Sequence, residues 1–151
     1  MRVTVDASIV VKWFVAEPLY REARLLLDRR IHLHAPDFVL VEFTNTIWKK
    51  VRRKEIPDPT PYLEELAVLP EIVALQPSSS LIERAAQIAV EIDHPVYDCL
   101  YLACAEATDS TVITADRRFA DKAVDQPFGI SVHHIAAPDV AGRIETAARP
   151  R

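Results

Sequence analysis

Glycine is nearly absent from this sequence: only Gly129 and Gly142 occur among its 151 residues. The loops that cradle phosphates in P-loop proteins and in dinucleotide-binding folds need several glycines at fixed spacings. The shortage of glycine therefore excludes a large set of nucleotide-dependent enzymes.

Cysteine is equally scarce, with only Cys99 and Cys104. These residues lie five positions apart in one predicted helix, so their side chains are about 140° apart around its axis and cannot easily form a disulfide. We interpret both as small buried apolar side chains, a usage typical of a cytoplasmic protein.

The sequence has neither an excess of positive charge nor an unbroken apolar run. Its formal net charge is −4, so any binding of nucleic acid must depend on a local basic surface. The N-terminal apolar stretch, residues 3–16, is interrupted by Asp6 and Lys12, and no basic leader with a small-residue cleavage site is evident. We therefore expect no export signal, no membrane span and a cytoplasmic location.

Apolar residues are plentiful, at 50% of the sequence, which suffices for one well-buried core in a chain too short for two ordinary domains. We expect a single domain over residues 1–147 and a short C-terminal tail at residues 148–151. The predicted strands are 3–6, 32–35, 72–75, 111–114 and 131–135. The predicted helices are 8–15, 18–30, 36–54, 62–69, 79–92, 95–107 and 117–124. This alternation predicts an open, mostly parallel α/β sheet.

Four acids stand next to or inside apolar stretches, where an ionised carboxylate is unfavourable unless it is paired or bound to a cation. They are Asp6, Glu42, Asp98 and Asp116. Helix capping is an alternative explanation for the three aspartates, because each lies near a predicted helix start. Glu42 lies well inside a predicted helix, where no cap is needed, and it therefore favours a functional site.

Three of these acids are predicted to share one edge of the sheet. Asp6 ends the first predicted strand, and Asp116 follows the fourth by two residues. The carboxyl ends of parallel strands form the edge at which α/β proteins bind their ligands. Asp98 lies in the first turn of the helix that Pro95 begins, where the helix dipole favours a negative charge. The sequence thus predicts an acidic site at this edge.

Four segments resemble, in this order, the PIN-domain nucleases, and in size and detail the VapC-type toxins of bacterial toxin–antitoxin pairs. The segments are VDASIVVKWF, APDFVLVEFTN, HPVYDCLYLACAEA and VITADRRF. The resemblance covers nearly the whole chain and implies a three-layer α/β/α fold with a central, mostly parallel sheet. It implies that the four acids form one cluster, with Ser8 and Thr114 as hydroxyl neighbours and Asn45 as a polar neighbour of Glu42. The turn ATDST departs from the family, which often has a glycine there.

The resemblance also implies a metal-dependent endoribonuclease that acts as a toxin, forms a homodimer and binds a cognate antitoxin. Four carboxylates without a ligating histidine or cysteine suit Mg²⁺ or Mn²⁺, and such a cation activates water for phosphodiester hydrolysis. We expect Asp6 and Asp98 to be direct ligands, and Glu42 and Asp116 to complete the shell, bind a second ion or orient the water. The alternative is a catalytically silent PIN-like module that binds RNA or protein. Loss of an acid would mark that case, and all four are present.

A basic stripe follows Glu42 along its predicted helix. Lys49 and Arg53 lie within about 20° of Glu42 around the helix axis, roughly 10 Å and 16 Å away, a spacing suited to backbone phosphates of RNA. Alternatively, these cations only complement the dipole of the helix C-terminus. Arg117 directly follows Asp116, and it could hold a phosphate or pair with a surface acid. The aromatic residues Trp13, Phe14 and Trp48 are expected in the core or at a dimer contact rather than stacked on bases.

Overall fold

The computed structural model describes residues 1–148. Its strands are β1 (Arg2–Val5), β2 (His32–Pro36), β3 (Val73–Gln76), β4 (Thr111–Thr114) and β5 (Val132–His134). Its helices are α1 (Ala7–Phe14), α2 (Tyr20–Leu25), α3 (Val39–Arg52), α4 (Thr60–Leu66), α5 (Leu69–Ile72), α6 (Ser78–Ile92), α7 (Val96–Thr108), α8 (Arg117–Ala123) and α9 (Pro138–Ala148). The expected C-terminal tail lies, apart from Ala148, outside the described residues.

The strands form one sheet in the order β3-β2-β1-β4-β5, and every neighbouring pair is parallel. Helix α7 lies along β1, β2 and β4, while α1 contacts β1 and β4. Helices flank the sheet to give the predicted three-layer α/β/α arrangement, which is thereby confirmed. No helix within residues 1–148 is long and apolar enough to cross a membrane.

The order of the strands places the carboxyl ends of β1 and β4 side by side. From β1 the chain proceeds outward to β2 and β3, and it then returns to β4 and β5 on the other side of β1. Ligands of open α/β sheets bind in the crevice at such a reversal. Because Val5 pairs with Ile113, the residues that follow β1 lie beside Thr114 and the turn after β4.

Both faces of the central strands are buried. Val3 and Val5 are fully buried, as are Val112 and nearly all of Ile113. Helix α7 is apolar around most of its circumference, and its residues from Cys99 to Ala105 are at most 3% exposed. Both cysteines are free and buried, as predicted. Helix α7 is therefore a rigid core element, and Asp98 lies in its first turn.

Several predicted element boundaries are wrong for local reasons. The helix predicted over residues 18–30 ends at Leu25, and Asp28 then accepts hydrogen bonds from the backbone and side chain of Arg30, which compete with helix formation. The helix predicted over 62–69 is divided into α4 and α5, because Pro70 has no N–H to continue it. Helix α9 was not predicted. Among its residues with described side chains, only Val140 and Ile144 are nearly fully buried, so its apolar pattern is weak.

Candidate active site

Asp6 is fixed at the end of β1 by three hydrogen-bond donors. As the N-cap of α1, its carboxylate accepts the backbone N–H of Ile9 at 3.2 Å. The hydroxyl of Ser8 donates to it at 2.6 Å, and the hydroxyl of Thr114 donates to its other oxygen. Ser8 in turn accepts the backbone N–H of Ala115 at 2.8 Å. These bonds join the end of β1 to the end of β4, and they place both expected hydroxyl neighbours, Ser8 and Thr114, against Asp6.

Asp116 begins α8 on the other side of the same crevice. Its carboxylate accepts the backbone N–H of Phe119 at 3.1 Å, and its own N–H donates to Thr114 at 2.9 Å. Unlike Asp6, its side chain is exposed. Asp116 therefore caps α8, and its side chain remains exposed to solvent at the crevice.

Asp98 projects from the first turn of α7 and contacts a histidine that the sequence analysis did not identify. Nε2 of His94 lies 2.7 Å from Oδ2 of Asp98. The ring of His94 stacks on Phe119, with centroids 5.7 Å apart and an interplanar angle of 18°. The spacing of four residues was the available signal, but Pro95 lies between them and obscures it. His94 holds the Asp98 carboxylate in place.

Glu42 enters the site from α3 and is held by a buried tyrosine. The hydroxyl of Tyr101 donates to Oε2 of Glu42, and Tyr101 is only 1% exposed. Tyr101 stands three positions after Asp98 on α7, so both side chains lie on one face of that helix. This spacing could have identified Tyr101, but its contact with Glu42 depends on the packing of α3.

The four acids line a single cavity of about 290 Å³. Ser8, Asn45 and Lys49 also line it, whereas Thr114, Arg53 and Arg117 do not. Thr114 lies directly behind Asp6, whereas Arg53, just after the end of α3, and Arg117, at the start of α8, are exposed farther out. The fold thus brings together acids that are separated by up to 110 positions in the sequence.

Burial makes this cavity unfavourable for negative charge. It is the main reason that the pKa of Asp6 is raised to about 6 and that of Glu42 to about 7. It also raises the pKa of Asp98. Repulsion between the carboxylates adds to each shift: Asp116 acts on Asp6 and Asp98, and Glu42 responds to Asp6 and Asp98. A bound cation would relieve both effects.

The donor set of the cavity fits a hard divalent cation. Within residues 1–148, no three histidine, cysteine, aspartate or glutamate side chains converge tightly enough to form a complete metal cage. Mg²⁺ does not need one, because it keeps several waters and is usually held by one or two carboxylates. The carboxylate oxygens of Asp6, Asp98, Glu42 and Asp116, which line one cavity with room for waters as well as a cation, meet that requirement.

A further acid in the wall, Glu17, is already neutralised. Lys12 of α1 lies 2.6 Å from one of its oxygens, and Lys50 of α3 pairs with the other. Burial alone would raise the pKa of Glu17, but the hydrogen bonds from both lysines lower it overall. Glu17 therefore joins α1 to α3 and keeps the two walls of the cavity together. No signal in the sequence indicated this ion pair with Lys50.

Comparisons with known proteins identify the family of this chain. Residues 3–125, which include all four acids, match the PIN domain family. Ribonuclease VapC3 of Pyrobaculum aerophilum is 28% identical over 124 residues, 81% of this chain and 95% of that protein. The crystal structure of PAE2754 from the same organism covers 97% of this chain and 90% of its own, at 19% identity and a TM-score of 0.66. The crystal structure of VapBC2 from Rickettsia felis, bound to a DNA fragment from their promoter, covers 89% of this chain and 98% of its own, at 15% identity and a TM-score of 0.63. Because the PIN domain match covers most of the chain, the chain belongs to the PIN-domain family.

Proposed function

We propose that this protein is a divalent-metal-dependent endoribonuclease that acts as the toxin of a toxin–antitoxin pair. The observation that carries the proposal is the convergence of Asp6, Glu42, Asp98 and Asp116 in one cavity, where burial disfavours the charge of the first three. The named ribonuclease at 28% identity supports the reaction, and the VapBC2 complex supports a cognate protein partner.

The residues of the cavity have separate roles in this proposal. Asp6 and Asp98 are direct ligands of Mg²⁺ or Mn²⁺, because each is held rigidly: Asp6 by the hydroxyl of Ser8 and Asp98 by the imidazole of His94. Glu42 and Asp116 complete the shell, hold a second ion or orient the attacking water. When bound, the cation lowers the pKa of its water and stabilises the charge of the phosphoryl group in the transition state. The products are a 5′-phosphate and a 3′-hydroxyl.

The substrate path leaves the cavity along α3. Asn45 and Lys49 line the cavity itself, and Arg53 follows as the C-cap of the same helix. Their donors suit the phosphates on one side of the scissile bond, and Arg117 beside Asp116 suits those on the other. We further propose that the protein is a single cytoplasmic domain over residues 1–147, that it forms a homodimer and that a cognate antitoxin occludes the cavity.

A cleavage assay on end-labelled single-stranded RNA tests the reaction. The purified protein should cut the strand in Mn²⁺, stop when EDTA is added and resume when Mn²⁺ is restored, and the new ends should carry a 5′-phosphate. Activity that persists in EDTA would reject a metal-dependent mechanism. A protein that binds RNA but never cuts it in Mg²⁺ or Mn²⁺ would instead be the silent binding module.

A further inference from the structure

The end of α3 presents an aromatic ring to solvent beside the acidic cavity. Trp48 is 52% exposed, so of the two expected positions, the core or a dimer contact, the core is wrong. Its neighbour Ile47 is fully buried, and one step along a helix turns the side chain by about 100°. Trp13, the other tryptophan, is 5% exposed and donates to the carbonyl of Ala23. Trp48 is thus the tryptophan that a ligand can reach.

Basic side chains surround this ring. The guanidinium carbon of Arg52 lies 5.4 Å from the ring centroid of Trp48. Trp48, Lys49, Arg52 and Arg53 together line a depression of about 400 Å³ that contains no acid. Within residues 1–148, no salt bridge involves Lys49 or Arg52, and the contact from Arg53 to Glu55 is long, at 3.9 Å. The positive charge of the depression is therefore available to an anion.

Lys49 connects this depression to the acidic cavity, because it lines both. Trp48 lies about 9 Å along the helix axis from Glu42. A strand whose scissile phosphate sits among the acids would therefore pass Lys49 and then reach the ring. Single-stranded nucleic acids are bound elsewhere by this combination of cations that follow the backbone and an aromatic face on which a base stacks.

We propose that Trp48, supported by Arg52, is a stacking site for an unpaired base of RNA flanking the scissile bond, with Lys49 and Arg53 on the adjoining phosphates. This inference rests on the proposed nuclease function and adds a preference for single-stranded substrate. The bases of a duplex are stacked on each other and leave no face for the ring. Base recognition by stacking is sequence-tolerant.

The test measures binding separately from cleavage. The full chain in EDTA is titrated with a labelled single-stranded RNA and with an abasic strand of equal length, which keeps the phosphates but has no bases. Trp48→Ala should weaken binding to the RNA about tenfold, which is about 1.4 kcal/mol, and binding to the abasic strand about twofold or less. Trp48→Phe should restore most of the loss. Lys49→Ala should weaken both complexes.

A matched control is available at the other edge of the sheet. Arg84 covers the ring of Phe128 at 4.6 Å, and Phe128 lines a depression with Ser110 and Thr111 at the start of β4. Phe128→Ala should leave both affinities unchanged, with melting temperatures measured to confirm that each variant is folded. RNA should also quench the tryptophan fluorescence of the wild type, and the Trp48→Phe variant should lose this quenching.

Three outcomes would overturn the inference. The first is that Trp48→Ala binds RNA as tightly as the wild type. The second is that Trp48→Ala weakens binding to the abasic strand as much as binding to the RNA. The third is that the wild type sediments as a dimer and Trp48→Ala as a monomer, which would place the ring against a second copy of the chain. Cleavage by the wild type is assayed in parallel. Cleavage without a contribution from Trp48 rejects only the stacking site, whereas Trp48-dependent binding without cleavage rejects the nuclease and keeps the stacking site.

Discussion

The Asp6→Asn variant should be more stable than the wild type near pH 8 when no metal is bound. Asp6 is 7% exposed, and burial raises the pKa of its carboxyl from 3.8 to about 6. Because the folded-state pKa is raised, the stabilising contribution of this group is fully present below pH 3.8 and is lost as the pH rises through about 6. Asparagine has nearly the same shape and carries no charge at either pH.

The size of the gain follows from two opposing effects. A shift of about two pKa units corresponds to about 3 kcal/mol at 1.36 kcal/mol per unit. Asparagine caps a helix about as well as aspartate, so the bond from Ile9 should persist. The hydrogen bonds from Ser8 and Thr114 oppose this shift, and their loss is already included in its net size. The net gain is therefore about 3 kcal/mol, or about 6–12 °C in melting temperature for a chain of this length.

Chemical unfolding in EDTA at pH 8 and at pH 4 measures this gain. The free energy of unfolding of Asp6→Asn should exceed that of the wild type at pH 8, and the difference should disappear near pH 4. Asp121→Asn, which neutralises an exposed acid on α8, is the matched control and should change stability little at either pH. A variant less stable than the wild type at pH 8 would show that Asp6 is chiefly a structural cap, and it would refute the reasoning.

Three other perturbations test the rest of the site. Tyr101→Phe removes a hydrogen bond that lowers the pKa of Glu42. The pKa of Glu42 should therefore rise above about 7, and the pH profile of cleavage should move to higher pH. The control Tyr97→Phe, which changes an exposed tyrosine on α7, should leave the profile where it is. Mn²⁺ should raise the melting temperature at pH 8 and progressively less as the pH falls through 7 and 6, because protonated carboxyls do not bind cations; a pH-independent increase would contradict this. The double variant Lys49→Ala, Arg53→Ala should flatten the salt dependence of RNA affinity, whereas an unchanged slope would mean that these cations only complement the helix C-terminus.

The part of the site at the ends of the strands could be predicted from the sequence. Asp6 and Asp116 follow two apolar strands, and the topology of a parallel sheet places such residues at one edge. The hydroxyl neighbours Ser8 and Thr114 came from the resemblance to the PIN-domain nucleases, and in the structure both donate to Asp6. This arrangement depends on the parallel pairing of β1 with β4. The α/β alternation predicts that strands are parallel, but it does not predict that these two are neighbours.

Contacts between helices could not be predicted in the same way. The bond from Tyr101 to Glu42 and the pair of Lys50 with Glu17 depend on how α3 packs against α7 and α1. Helix periodicity gives the face of each residue but not the partner of that face. Composition left Trp48 either in the core or at a dimer contact, because an aromatic residue beside an isoleucine suits both positions. The rotation of α3 is what exposes Trp48 while Ile47 is buried.

The most direct test of the account is the cleavage rate of Asp98→Asn in Mn²⁺, compared with Asp121→Asn. Both changes remove one carboxylate, but only Asp98 lines the cavity. Asp98→Asn should cut RNA about 100-fold more slowly or worse, since losing even a partner of a metal ligand costs about 10- to 100-fold, while Asp121→Asn should cut at the rate of the wild type. Undiminished cleavage by folded Asp98→Asn would contradict the assignment of the acidic cavity as the centre of hydrolysis.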